Sequence, residues 1–412
     1  MTHSIQTEHI SINALKVLKR LSGAGFQAFL VGGSVRDLLL GLHPKDFDVA
    51  TDAHPDEVRE LFRNSRHIGK RFKILHIRFG REIIEVATFR AHHDRESHED
   101  NHADSGMILR DNVYGSFEDD VSRRDFTINA LYYQPDEQKV QDLTGGIGDL
   151  EKRVIRLIGD PETRYREDPV RMIRAVRFAA KLNFRIDPDT AAPIRSLSHL
   201  LNDVPPARLF EEVLKLFMAG HAEQTFVLLK EYRLLEWLFP ETVRALSPVA
   251  ERLIALALRS TDERVRDDKP VTPAFLFAAL LWPQLQAQCQ SLQANGHSLL
   301  GAFHITYPAI INHQSSFTSL PRRYAIPMKE IWDLQFRLHR RQGRRVWTTF
   351  NHKRFRAAYD FLLLREAAGD KSGDLGQWWT EFQEHDASGK EAMIKELSDK
   401  PKKKPRNSKR SK

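Results

Sequence analysis

Hydrophobic periodicity changes once along this 412-residue chain, near Asp160, and that change constrains the architecture more than any other feature. Before it, short apolar runs alternate with turn residues. Residues 27–31 (QAFLV) read as a strand broken by Gly32-Gly33, 35–40 as a helix ending at Gly41, and 46–51 as a second strand. Residues 74–79 and 82–88 flank Gly80-Arg81 and read as a hairpin, with 154–158 as a last strand. Beyond Asp160, leucine-rich stretches of helical period cover 170–182, 206–219, 222–238 and 248–258, then 273–281, 329–339 and 354–366. Residues 92–106 and 284–327 show no readable period. The pattern predicts a small α/β domain around a mixed sheet, followed by an all-helical remainder.

This length implies two to four domains. No apolar run approaches the roughly 20 residues of a membrane span. Residues 1–10 lack the basic start and apolar core of a secretory signal, so the cytoplasm is the expected compartment. One cysteine, Cys289, excludes an internal disulfide and a cysteine-based zinc cluster. Residues 400–412 hold eight Lys or Arg and no acid, which equals the whole formal net charge of +8. Such a run cannot bury apolar surface and reads as a disordered tail, either a nonspecific phosphate tether or a solubilising end. His92, His93, His98 and His102 are irregularly spaced among acids and read as a mobile loop rather than a zinc site.

The densest chemical signal is Gly32-Gly33-Ser34-Val35-Arg36-Asp37, followed nine residues later by Asp46-Phe47-Asp48. On a strand, i and i+2 share a face, so Asp46 and Asp48 project together, about 6–7 Å apart at Cβ. Two carboxylates at that spacing suit a pair of Mg²⁺ ions that take further oxygen ligands from water and triphosphate. A helix starting near Ser34 would turn its N–H groups toward a phosphate, and Arg36 could neutralise a triphosphate oxygen. Glu85, mid-strand beside the hairpin, is either a third metal ligand or an acid on a solvated face. Asp125 follows Arg123-Arg124 at a helix start, where a carboxylate also serves as a cap. Arg123 and Arg124 could contact triphosphate or RNA, or pair with acids among residues 118–120.

The blocks GGSVRD…DFDVAT, Glu85–Arg90 (EVATFR), Arg123–Ala130 (RRDFTINA) and Glu167–Phe178 (EDPVRMIRAVRF) occur in order. Together they resemble the nucleotidyltransferase head shared by bacterial poly(A) polymerases and CCA-adding enzymes, class II members of the DNA polymerase β-like superfamily. The resemblance covers roughly residues 20–240. It implies an α/β head with a mixed five-stranded sheet, followed by all-α neck, body and C-terminal domains. The expected division is an N-terminal segment 1–20, head 21–158, neck 159–240, body with an arginine-rich C-terminal region 241–395, and tail 396–412. The resemblance also implies that Asp46, Asp48 and Asp125 are catalytic, with Asp46, Asp48 and Glu85 holding two Mg²⁺. ATP would meet Gly32, Gly33, Ser34, Arg36 and Asp37, with Arg123, Arg124 and Asn129 nearby.

Placed on one continuous helix, Asp168 and Arg171 lie about 60° apart, able to address one ligand together. The resemblance implies that they read the base of the incoming nucleotide, with Arg174 close by and Arg177 farther round. The alternative is an i,i+3 salt bridge on a solvated face. Residues 68–77 (IGKRFKILHI), with Lys70 and Arg71, resemble a stretch typical of bacterial poly(A) polymerases rather than CCA-adding enzymes. Residues 337–347 and 352–360 interleave basic and aromatic side chains, and Arg340, Arg341, Arg344 and Arg345 are the expected RNA contacts. Trp347 and Tyr359 could instead be core.

The expected activity is template-independent addition of AMP from ATP to RNA 3′ ends. The expected partners are RNA 3′ ends, ATP and RNA-decay proteins, and the expected state is a monomer. The alternatives are a tRNA CCA-adding transferase and a catalytically silent RNA-binding protein.

Overall fold

The structure is a computed structural model that describes residues 5–68, 74–91 and 113–399. Lys70, Arg71, the four histidines from His92 to His102 and the basic tail from Lys400 lie outside the described residues. The chain divides into two compact units, Met1–Val204 with Glu231–Leu234, and Pro205–Lys230 with Leu235–Lys412. The division falls inside the 159–240 stretch read from sequence as a neck.

The first unit is built on a seven-stranded sheet. Its strands are β1 (Ala28–Val31), β2 (Asp48–Thr51), β3 (Ser65–Ile68), β4 (Ile74–Phe79), β5 (Glu82–Thr88), β6 (Leu131–Gln134) and β7 (Lys139–Asp142). The order is β3-β4-β5-β2-β1-β6-β7. β2 and β5 pair in parallel, while the other neighbours are antiparallel. The expectation of five strands is corrected to seven, because the edge strands β3 and β7 extend a five-stranded centre. Both are short and polar (SRHI and KVQD), so they carry little apolar alternation to read. Residues 154–158 do not join this sheet. Val154–Ile155 (β8) instead pairs in parallel with Arg185–Ile186 (β9).

Every residue of β1 is buried, as a central strand covered on both faces requires. Helix α1 (Ile12–Gly23) begins within the segment set apart as 1–20 and packs on β1 and β2. Ser11 caps it by accepting from the Asn13 and Ala14 N–H groups, and Ala14, Val17, Leu18 and Leu21 form its buried face. Phe29, Val31, Ala50, Phe89 and Tyr132 join Val121, from the helix Phe117–Ser122, in an apolar cluster on the sheet.

The secondary-structure elements described in the second unit are all helices. The segment 284–327 consists of the helices Trp282–Ala294 and Leu299–Phe317 and the start of Arg322–Arg337. Pro308 and Pro327 lie inside helices, so prolines that normally act as breakers concealed the pattern. Leu334, Leu338, Tyr359, Leu362, Trp379 and Phe382 belong to one core cluster, and the Trp379 indole donates to the Leu338 carbonyl at 2.9 Å. No described helix is long and apolar enough to cross a membrane.

Candidate active site

β2 begins at Asp48, so Asp46 stands just before the strand rather than within it. The alternation still holds: Phe47 is buried, Asp46 is exposed and Asp48 is partly buried. Across the parallel pairing, Asp48 lies opposite Glu85 on β5. Burial, the charge of Glu85 and the charge of Asp46 push the Asp48 carboxyl up to about 6, with Arg124 opposing them. Glu85 is also opposite His76 on β4, and its Oε1 sits 3.0 Å from His76 Nε2. Glu85 thus stands between Asp48 and His76 across the sheet.

Among the described residues no group of three or more His, Cys, Asp or Glu is arranged to hold a metal ion. Asp46 and Asp48 nevertheless fit a hard cation. They supply oxygen donors only, and the neighbouring acids leave Asp48 short of countercharge. A cation completing its shell with triphosphate oxygens and water needs no third protein ligand.

The glycine pair shapes the adjoining loop. Gly32 has φ +75° and ψ −131°, a conformation that L side chains avoid, and a Cβ there would lie 3.7 Å from Arg124 Nη1. Helix α2 (Gly33–Leu39) follows, with Ser34 Oγ donating to the Val31 carbonyl at 3.1 Å. Arg36 is 2% exposed and committed within the protein. Its Nε and Nη2 meet Asp37 at 2.8 and 2.6 Å, and Nη1 donates to Asn129 Oδ1 at 2.7 Å. Lys181 Nζ meets the other Asp37 oxygen at 3.4 Å. Arg36 thus braces α2 against Asn129 in this arrangement.

Arg123 and Arg124 converge on Asp120, as the alternative sequence reading allowed. Arg123 Nη2 lies 2.9 Å and Arg124 Nη2 3.0 Å from its carboxylate. The Tyr132 hydroxyl donates to Asp120 at 2.6 Å and accepts from Arg124 Nε at 2.5 Å. Burial opposes ionisation of Asp120, but the two guanidiniums and the phenol outweigh it and hold the carboxyl down at about 2.

Asp125 is occupied on both oxygens. Oδ1 accepts from the Phe126 N–H at 2.8 Å and Asn129 Nδ2 at 3.2 Å, and Oδ2 from Arg174 Nε at 2.7 Å. Despite burial, Arg174 and these hydrogen bonds keep its carboxyl near 2. Arg36, Arg174 and Arg177 all lie over the Phe178 ring, 5.2, 5.4 and 4.8 Å from its centroid.

The single helix expected over 167–178 is broken. Pro161–Glu167 and Val170–Leu182 are separate helices, and Asp168 between them is extended at φ −149°, ψ 94°. Pro169 excludes helical geometry from the residue before it. Asp168 and Arg171 stay adjacent through an Arg171 N–H bond to the Asp168 carbonyl at 3.0 Å, not through a shared helix face. Arg171 Nη1 donates to Glu167 Oε2 and to the Arg164 carbonyl, at 2.8 and 2.7 Å.

In the second unit, Arg340, Arg344 and Arg345 are exposed and Arg341 is partly buried, pairing with Asp374 at 2.9 Å. Arg340 and Arg345 line a cavity of about 300 Å³ with His304, Lys329, Asp333 and Arg337. The interleaved aromatics turn inward: Tyr359 is buried and hydrogen-bonded to Thr380, and Trp347 packs against Phe382. Stacking of RNA bases on these two rings is thereby corrected to core packing. Sequence reading missed Tyr132 and Arg164. Only Arg164 left a local signal, its i,i+3 spacing from Glu167.

A mixed sheet carrying two aspartates at the edge of a Gly-Gly turn, with helices following, defines a nucleotidyltransferase head with a helical remainder. Residues 28–156 match the family described as "Poly A polymerase head domain". Residues 183–246 match "Probable RNA and SrmB-binding site of polymerase A", and 295–412 match "Polymerase A arginine-rich C-terminus". Poly(A) polymerase I of Salmonella typhimurium is 50% identical over 409 residues, 97% of this chain and 88% of that protein. A CCA-adding enzyme of Lactobacillus helveticus is 39% identical over 227 residues, 55% of each chain. The Bacillus stearothermophilus CCA-adding enzyme, solved with CTP, superposes with a TM-score of 0.59 at 26% identity, covering 90% of this chain and 80% of that one. The chain belongs to the poly(A) polymerase I family.

Proposed function

We propose that this protein is a template-independent polynucleotide adenylyltransferase that adds AMP from ATP to RNA 3′ ends, releasing pyrophosphate. The observation that carries the chemistry is the Asp46/Asp48 pair at the start of β2, with Asp48 crowded by Glu85. The choice of poly(A) over CCA rests on extent, since likeness to poly(A) polymerase I spans 97% of the chain and likeness to the CCA-adding enzyme 55%.

When bound at Asp46 and Asp48, two Mg²⁺ ions supply charge neutralisation at the α-phosphate and lower the pKa of the RNA 3′-hydroxyl. The Gly32 turn follows Val31, which pairs with Asp48, and Arg124, braced by Asp120 and Tyr132, sets a fixed positive charge beside Asp48. Asp125 is ionised at neutral pH with both oxygens engaged, so it orients Arg174 and Asn129 rather than exchanging a proton. Asp168 and Arg171 present acceptors and donors to the adenine edge. Displacement at the α-phosphate is in line, and no covalent enzyme intermediate is needed.

In this reading the head is residues 21–158, the neck 159–240 and the body 241–395, where Arg340 and Arg345 hold RNA phosphates. The work is RNA turnover in the cytoplasm by a monomer acting beside RNA-decay proteins. Asp46→Asn and Asp48→Asn test the core of it. Each is expected to abolish AMP incorporation into an RNA primer while circular dichroism and melting stay close to the parent. Unchanged tailing in both would overturn the two-acid chemistry.

A further inference from the structure

We infer that Arg164 is a positioning residue for nucleotide selection, locking the Asp168–Arg171 break onto the Arg123–Asp125 segment. This rests on the reading of Asp168 and Arg171 as the base-selecting pair.

Pro169 interrupts the helix between Asp168 and Arg171, so the two are held by the Arg171 N–H bond to the Asp168 carbonyl and by the contacts of Arg164. Arg164 acts from both its main chain and its side chain. Its carbonyl accepts from the Asp168 N–H at 3.2 Å and from Arg171 Nη1 at 2.7 Å. Its Nη1 donates to Glu167 Oε2 at 2.8 Å, the same oxygen that receives Arg171 Nη1 at 2.8 Å. Its Nη2 donates to two successive carbonyls, Arg123 at 2.5 Å and Arg124 at 2.7 Å. Arg164 thus ties the break to the segment whose side chains reach Asp48, through Arg124, and Arg174, through Asp125.

Stability alone does not account for this arrangement. Arg164 is 5% exposed, and its Nε has no hydrogen-bond partner among the described residues. Burial, with Arg171 adding to it, pushes its pKa down to about 10 against the pull of Glu167 and Asp125. An apolar side chain would fill such a site at lower cost in desolvation. What it could not supply is a rigid planar fork addressing two carbonyls and a carboxylate at once, and a lysine could not either.

The test compares the parent with R164K, E167Q, R171A and R164K/R171A. Single-nucleotide addition to an RNA primer is followed with ATP and with CTP, alongside melting temperature. R171A should collapse the ATP-over-CTP ratio of kcat/KM. R164K and E167Q should each lower that ratio by about tenfold, mainly through KM for ATP, with melting within about 3 °C of the parent. Adding R164K to R171A should lower the ratio no further, because both act on one device. A purely structural Arg164 would slow both nucleotides alike. The proposal is overturned if R164K and E167Q leave the ratio within twofold of the parent while R171A collapses it. E167Q alone decides if R164K does not fold. If R171A itself leaves the ratio unchanged, base selection lies elsewhere and the reading beneath the proposal is overturned with it.

Discussion

Replacing Asp120 by asparagine should destabilise the head by about 2–4 kcal/mol at neutral pH. Asp120 is 2% exposed, so solvent does little to screen its partners, Arg123, Arg124 and Tyr132. Its carboxyl is held at about 2 against an ordinary 3.8. That depression corresponds to about 2 kcal/mol of stabilisation from the ionised form. The substitution also leaves two guanidiniums without their buried counter-ion, which adds to the loss. The sign in pH follows from the depressed pKa. The contribution is complete above the unfolded value near 3.8 and is lost as pH falls toward 2, so the gap between D120N and the parent should be constant from pH 8 to 5. It should narrow only below about pH 4. Urea titration read by hydrogen exchange in peptides covering 113–134 isolates the head from the helical unit. A gap below about 0.5 kcal/mol at pH 7, or one that changes between pH 7 and 5, would refute the reasoning.

R340A/R345A should weaken RNA binding with little sequence preference and reduce the slope of log K against log salt by about 1.4, as two single-strand phosphate contacts would. Fluorescence anisotropy across a salt series measures it, and an unchanged slope would exclude phosphate contact at these arginines. Gly32→Ala should cost about 1–3 kcal/mol, because φ +75°, ψ −131° is open only to glycine. It should also lower AMP incorporation through distortion of the turn that follows Val31, the partner of Asp48, and unaltered stability and rate would contradict the tight-turn reading.

Much of the head is legible in sequence because local rules and packing agree there. The β4–β5 hairpin has Gly80 at its turn and apolar positions in register, and its strands fall where alternation puts them. The helix Val170–Leu182 buries Met172, Ile173, Val176 and Ala179 as its period requires. Asp46 and Asp48 are recognisable as a pair even though the strand starts at Asp48, since exposure already alternates across Asp46, Phe47 and Asp48 before ladder pairing begins. Partnerships between distant residues were not legible. Nothing local reveals that Arg36 is engaged by Asn129, 93 positions away, or that Tyr132 bridges Asp120 and Arg124. The break at Asp168 did have a local signal, Pro169, whose effect on the preceding residue outweighs the helical period across it. In the C-terminal third, rings among arginines looked like a stacking surface, but an amphipathic helix turns its rings to the core and its charges outward.

The most direct measurement incubates the purified chain and Mg²⁺ with an RNA primer and each nucleoside triphosphate separately, and then with ATP and CTP together, resolving products by length. Long A-tails with ATP, little extension with CTP, GTP or UTP, and loss of tailing in D48N are the predicted result. Addition of two C residues followed by one A, with no further growth, would contradict the assignment.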